Sequence, residues 1–393
     1  MKKNIILFFL ILFSGYWTMA SAQKTGSFTL NGKIDDLRVG DTIFIENIHL
    51  PDWKTLLADT VYVESANEFV YNKNIDHTTF LLLSHSPKDL PKKVSSVRGA
   101  SVLIKKGDKI ELKGSADYIG ALSKKGGFYD DSLIARLDSL ENIHNIQLID
   151  IYRKLSAARA TQQTDSINIY AAMYQKHTAP QEYKDLRNYL LENVNDNEYV
   201  VYLYLEGLYN VPFKKLEERF NKYMPEIQNS DMGQQLNKMR KVLKNIEVGN
   251  QSSGFTVTDK DGKIIKLSDY KGKYTLIYNW GLCPGTIWVH PKLLELYANF
   301  KDKGFDLIGF SPYDYFGKNP ETVVAEEIKP LLNQPWTTVY TDNPDNTFIE
   351  NDYYLAVVPI LMLISPDGTT LVRGYSEVFE SVKNILEENL SQK

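Results

Sequence analysis

The chain has 393 residues, 43% hydrophobic and 24% charged, and its 45 basic and 49 acidic side chains leave a net charge of -4. That balance, with no long single-sign run, gives no electrostatic footprint for nucleic acid or an anionic membrane surface. The one cysteine, Cys283, excludes an internal disulfide, and the six histidines (His49, His77, His85, His144, His177 and His290) show no metal-ligand spacing, so no metal or other cofactor is expected.

At the N-terminus Lys2 and Lys3 precede the apolar run Ile5–Phe13, and Ala20-Ser21-Ala22 supplies small residues. This is the pattern of an export signal over residues 1–22, cut before Gln23. The run is well short of the roughly 20 apolar residues that cross a bilayer, so no membrane span is expected. A lipid anchor would need a cysteine directly after the cut, and Cys283 lies far beyond it. The expectation is an unanchored protein of the periplasm or cell envelope. What remains after the cut suffices for two or three domains of roughly 100–200 residues each.

Residues 23–125 alternate apolar and polar in short runs: Phe28–Ile34, Thr42–Ile48, Thr60–Val63, Phe69–Tyr71, Phe80–Leu83, Val102–Ile104 and Lys109–Leu112. Asn31-Gly32, Gly40-Asp41 and Gly107-Asp108 read as turns between them. Period-two runs at this spacing predict an antiparallel β sandwich or barrel. The opening Phe28-Thr-Leu-Asn-Gly-Lys, the strand Gly107-Asp-Lys-Ile-Glu-Leu-Lys-Gly and the helix entry Gly126-Gly-Phe-Tyr-Asp-Asp-Ser-Leu resemble a domain of unknown function. That domain stands before thioredoxin-like domains in bacterial cell-envelope proteins; these residues hold no catalytic constellation, so the segment reads as a packing or partner-binding module.

Over residues 126–249 the period becomes 3.6, with Leu133, Leu137 and Leu140 on one stripe and Leu216, Phe220, Met224 and Ile227 on another. Four to six helices are predicted, broken near Thr178-Ala-Pro, Asn193-Val-Asn-Asp-Asn and Asn210-Val-Pro. This segment reads as a helical connector that sets the distance between two domains. Tyr199, Tyr202, Tyr204 and Tyr209 read as core residues with their hydroxyls at the rim.

From residue 250 to 393 strands and helices alternate. Phe255–Val257 and Ile264–Leu267 flank the turn Asp261-Gly262. Lys273–Trp280 is a strand, Ile287–Lys303 a helix, Phe305–Phe310 a strand and Pro320–Leu332 a helix. Val358–Ile364, the turn Pro366-Asp-Gly, Thr370–Tyr375 and the helix Val378–Leu390 complete a mixed sheet covered on both faces.

The run Phe255–Trp280 resembles the entry to periplasmic thioredoxin-like proteins of the AhpC/TSA superfamily, with TlpA/ResA-like thiol-disulfide oxidoreductases as its nearest kin. Pro291-Lys-Leu-Leu-Glu-Leu-Tyr, Lys301-Asp-Lys-Gly-Phe-Asp-Leu-Ile-Gly and Val358-Pro359 before Leu361-Met-Leu-Ile-Ser-Pro-Asp-Gly extend the likeness. The resemblance implies a thioredoxin fold with a Trp-Cys-x-x-Cys motif at a helix start and a cis-proline at Pro359. Here the motif reads Leu282-Cys283-Pro284-Gly285-Thr286, so the attacking cysteine is kept and Thr286 replaces the resolving one. The loop from Trp280 to Cys283 is about one residue short, and Leu276-Ile-Tyr-Asn offers no buried carboxylate.

A thiol at a helix N-terminus faces the positive end of the dipole and unpaired N–H groups, which favour a thiolate. Without a second thiol a mixed disulfide waits for an external thiol. The expected site is thus Cys283 and Thr286 for chemistry, with Trp280, Pro284, Gly285, Val358 and Pro359 for contacting substrate. The expected partners are protein thiols or disulfides, or extended polypeptide. His290, seven residues along the helix and so about 10 Å away, reads as packing and not as a Cys-His dyad. A peroxidatic cysteine would need threonine three residues before it and proline seven before, where Trp280 and Leu276 stand.

Overall fold

The computed structural model describes residues 26–51, 53–88, 99–208, 211–311, 331, 334–346, 352–355 and 357–391. The expected export signal, Tyr209 and, apart from Leu331, the helix expected over Pro320–Leu332 lie outside these residues.

The first part folds as β1 (Gly26–Asp35), β2 (Thr42–His49), β3 (Lys54–Tyr62), β4 (Glu68–Ile75), β5 (Thr79–Ser86), β6 (Ala100–Ile104), β7 (Lys109–Ser115) and β8 (Ser123–Lys125). They form two four-stranded sheets, ordered β4-β1-β7-β8 and β3-β2-β5-β6. Alternation along β1 turns Phe28, Leu30 and Ile34 inward. In β2 a register shift between Asn47 and Ile48 lets Ile48 follow Ile43 and Ile45 into the core, although it breaks their parity.

Two expectations change here. Antiparallel pairing holds for every pair but one, since β1 and β7 run parallel. Asn31-Gly32 is not a turn but the middle of β1, because the ring of Phe69 lies across Gly32. A Cβ at Gly32 would sit 2.2 Å from Phe69 Cε1, so only glycine fits.

Among the described residues seven helices follow: α1 (Ser132–Ala160), α2 (Thr164–Lys176), α3 (Gln181–Asn193), α4 (Glu198–Glu206), α5 (Phe213–Lys222), α6 (Pro225–Gln228) and α7 (Asp231–Asn245). The three expected breaks separate α2 from α3, α3 from α4 and α4 from α5. The break after Ala160 was unmarked by any proline or glycine. Asp131 caps α1 by accepting from the backbone N–H groups of Leu133 and Ile134. Leu137 and Leu140 are buried as expected, whereas Leu133 and Met224 face solvent.

The helices are not a spacer. Tyr202 packs on Phe80 at 5.3 Å between ring centroids, and Tyr199 on Tyr129 at 5.9 Å, so the helical layer closes the core of the first part. Asp231 accepts from the Thr78 backbone N–H at 2.7 Å and Glu198 from the Thr78 hydroxyl at 3.1 Å, which fixes the docking angle. Tyr199, Tyr202 and Tyr204 are buried, as their reading as core residues expected.

The last part contains β9 (Thr256–Thr258), β10 (Ile264–Lys266), β11 (Tyr274–Asn279), α8 (Pro284–Phe300), β12 (Phe305–Ser311), β13 (Thr337–Tyr340), β14 (Ile360–Ile364), β15 (Thr370–Gly374) and α9 (Phe379–Leu390). Its main sheet is ordered β13-β12-β11-β14-β15, with β11, β12 and β13 parallel and β14 antiparallel to its neighbours. This is a thioredoxin-like sheet. The edge strand β13 escaped the sequence reading, being four residues long and only partly apolar.

Central β11 is buried on both faces. Leu276 and Tyr278 turn toward α8 and α9, whose Val289, Leu293 and Leu386 complete one core. Ile277 turns the other way with Ile308, Phe310 and Met362, into the core shared with the helical layer and the N-terminal sheets. Each such side chain contributes about 1.5–3 kcal/mol on burial, so the sheet that carries the site is fixed from both sides.

Candidate functional site

The chain leaves β11, crosses Trp280, Gly281 and Leu282, and enters α8 at Pro284 with Cys283 as the N-cap. The helix begins three residues before the expected Ile287, because proline suits the first helical position and the cysteine sulfur serves as the cap. Cys283 Sγ accepts from the Thr286 backbone N–H at 3.4 Å. Thr286 is fully buried, and its Oγ1 lies 3.4 Å from Sγ and accepts from the Gly281 N–H at 3.5 Å.

Across from this turn the Val358–Pro359 bond is cis, as the resemblance implied. The Val358 carbonyl oxygen stands 3.4 Å from Cys283 Sγ and can accept from the thiol. A Cβ at Gly285 would come within 2.9 Å of Pro359 Cδ, so glycine is what lets the two loops meet. Cys283, Gly285, Thr286, Val358 and Pro359 are thus brought together, with Pro284 at the first turn of α8 between them.

Trp280, expected to contact substrate, does not reach the surface. It is 2% exposed, because it continues the inward parity of Leu276 and Tyr278, and it supports the loop from beneath. His290 is buried, with Nδ1 3.4 Å from the Tyr278 hydroxyl and its ring 5.4 Å from that of Trp336, which fits the packing role read from the sequence. Burial holds the Tyr278 phenol far above its ordinary range, with the Thr286 hydroxyl pulling the other way and the nearby Cys283 reinforcing the rise.

Two features were missed in the sequence. Asn279 Nδ2 donates to the carbonyls of Leu355 at 2.7 Å and Val357 at 2.9 Å, holding the segment that carries Pro359. A polar residue ending an apolar strand was the available signal. The second feature is an exposed apolar surface beside the sulfur, formed by Leu282, Ile287 and Trp288. The Lys292 ammonium lies 3.4 Å over the Trp288 ring, and Phe379 meets that ring edge-on at 6.4 Å. Among the described residues no group of three His, Cys, Asp or Glu side chains could hold a metal ion.

The AhpC/TSA family model matches residues 248–334, which contain this turn. The C-terminal part of the chain is an AhpC/TSA-family domain. The AhpC/TSA domain also aligns with the thiol-disulfide oxidoreductase ResA of Bacillus thuringiensis, 29% identical over 150 residues, covering 37% of this chain and 79% of that protein. ResA of Bacillus anthracis is 30% identical over 124 residues, with 31% and 66% covered. A probable glutathione peroxidase of Arabidopsis thaliana is 38% identical over 69 residues, with 17% and 40% covered.

Among solved structures, the thioredoxin domain of a thiol-disulfide oxidoreductase from Bacteroides vulgatus is 26% identical, with TM-score 0.28 and 36% and 97% of the two chains covered. A thioredoxin-like protein from Bacteroides caccae is 15% identical, with TM-score 0.36 and 57% and 84% covered. The likeness in sequence is to the thiol-disulfide oxidoreductase ResA, and in this chain Thr286 stands three residues after the cysteine.

Proposed function

We propose that this is an exported thiol-disulfide oxidoreductase-like protein that works through one thiol, forming mixed disulfides with protein thiols or disulfides at Cys283. The observation that carries this reading is the sulfur at the N-cap of α8, 3.4 Å from the Thr286 N–H, the Thr286 hydroxyl and the Val358 carbonyl. The backbone N–H donates to the sulfur, and the Thr286 hydroxyl, which accepts from the thiol, can turn to donate once that proton has left. In the reaction, the Cys283 thiolate attacks one sulfur of a partner disulfide, forms a new S–S bond and releases the partner's other sulfur as a thiolate. A second, external thiolate then attacks the mixed disulfide and frees Cys283. The N-terminal pattern of residues 1–22 supports action in the periplasm or cell envelope.

The test is trapping. The mature protein, incubated with a peptide disulfide, should gain the mass of one peptide half, and Cys283→Ser should gain none. No adduct at neutral pH, or an adduct formed no faster than with the unfolded chain, would overturn the reading.

A second reading rests on the exposed Leu282, Ile287 and Trp288 on the cysteine side of the Val358–Pro359 loop. The surface suits an extended apolar polypeptide paired through its backbone. On this reading Pro359→Ala weakens peptide capture equally in the wild-type and Cys283→Ser proteins. Capture that depends wholly on Cys283 leaves the covalent reading alone.

A further inference from the structure

A second site lies where the helical layer meets the outer strand of the thioredoxin sheet. There a cavity of about 240 Å³ is lined by Val211, Phe213, Leu243 and Ile246 on the helical side and by Arg373 on β15. Its walls are apolar apart from Arg373 and Glu247.

Arg373 is the unusual member. Its one hydrogen bond among the described residues runs from Nη2 to the Tyr354 carbonyl at 2.9 Å, and its Nε is enclosed without a partner. No carboxylate among the described residues pairs with the guanidinium, which is half-buried with its Nε enclosed. Burial lowers its pKa to about 10, with the Tyr354 and Tyr375 phenols acting the other way, so it stays charged at neutral pH. The bond to Tyr354 has a local purpose, since Tyr354 has a φ of 47° and its backbone needs holding. That purpose uses one of five N–H donors.

We propose that this cavity binds a small organic monocarboxylate, its carboxylate on the Arg373 guanidinium and its hydrocarbon part against Phe213, Leu243 and Ile246. A cavity of about 150 Å³ holds a benzene-sized molecule, so the space takes a carboxylate with a short hydrocarbon tail. The planar guanidinium matches a carboxylate edge. Glu247 adds a negative group to the wall and sets the site against polyanions such as phosphate.

Hexanoate titrated into the mature full-length protein, followed by calorimetry and thermal shift, tests this. Saturable binding is expected, with hexan-1-ol and inorganic phosphate each bound at least about tenfold more weakly, the scale of one charged contact. Arg373→Gln should lose binding to the same degree. Because that change also releases Tyr354, a second pair keeps the test clean. Val248 stands at the cavity mouth, 54% exposed, where substitution leaves the fold alone. Val248→Glu should weaken hexanoate binding and Val248→Lys strengthen it. No saturation up to about 10 mM, a weaker bound for a ligand of this size than expected, overturns the proposal. So does hexan-1-ol or phosphate binding as well as hexanoate, or indifference to the charge at position 248.

Discussion

Thr286→Val removes one hydroxyl from the site, and with it the acceptor of the Gly281 N–H. The side chain is fully buried, its Oγ1 lies 3.4 Å from Cys283 Sγ, and the backbone N–H that also meets the sulfur is untouched by the change. A hydrogen bond to a charged group contributes about 1.5–3 kcal/mol. At the lower end, suited to a long contact with sulfur, the loss corresponds to about a tenfold change in rate. Iodoacetamide alkylation of Cys283 at pH 7 should therefore slow about tenfold in Thr286→Val, while Thr286→Ser, which keeps the hydroxyl, should stay near wild type. At a pH high enough to ionise any thiol, the rates of all three should converge. Equal rates at pH 7 would refute the role of the hydroxyl. A deficit in Thr286→Val that persists unchanged at high pH would mean that the loop had shifted, and the lost hydrogen bond would not be its cause.

Thr286→Cys rebuilds Cys-Pro-Gly-Cys and should confer insulin reduction with dithiothreitol where the wild type shows only background; no gain would place the defect in the short Trp280–Cys283 loop. Lys124 and Asp138 form an ion pair with both side chains 5% exposed, joining β8 to α1. Lys124→Met should cost about 3–5 kcal/mol in urea unfolding and Lys124→Met with Asp138→Leu far less, since the single change strands a buried charge; equal costs would refute this. Asp41 is fully buried, and its pKa is raised by burial but lowered overall by the Lys88 and Arg38 N–H groups and by His85. Because the folded value lies below the unfolded one, its stabilisation is present above about pH 4 and lost as pH falls through the folded value. Asp41→Asn should flatten the acid side of the stability profile, and a profile as steep as wild type would exclude Asp41 as a source.

What the sequence made legible follows from how each signal is generated. Gly40, Gly107, Gly262 and Gly368 all have positive φ, so the turns read there were backbone requirements that a single residue announces. Asn31-Gly32 looks identical in sequence, but the glycine answers a ring from β4 that no local pattern reveals. The cysteine turn and the cis bond at Pro359 were legible through the family resemblance of the residues around them. The burial of Trp280 was legible in principle from strand parity, yet its place in the motif suggested a surface role. The fusion of the helical layer to both neighbours was not legible, because 3.6-residue periodicity gives a buried face without saying what covers it. Arg373 was invisible for the same reason: its surroundings are assembled from α5, α7 and β15, far apart in the chain.

The end of β11 explains how the cysteine loop is held without a buried acid. Alternation turns position 279 away from α8 and toward the segment before Pro359, where two carbonyl oxygens, of Leu355 and Val357, converge on one side chain. An amide supplies two N–H donors for them; a carboxylate would bring oxygens against oxygens in a place 2% exposed. Asn279→Asp therefore leaves two acceptors unmatched, at about 1–3 kcal/mol each, and penalises the charged form of the new carboxyl. The folded value of that carboxyl is raised above the unfolded value of about 3.9, so the penalty grows as pH rises past the unfolded value and is smallest in acid. Urea unfolding should show Asn279→Asp several kcal/mol below wild type at pH 7, with the gap narrowing toward pH 4. Cys283 alkylation should change as well, since the Val358 carbonyl facing the sulfur rides on the same segment. A gap independent of pH would mean that the introduced carboxylate escapes to solvent, and position 279 would then not be what holds the proline loop over the thiol.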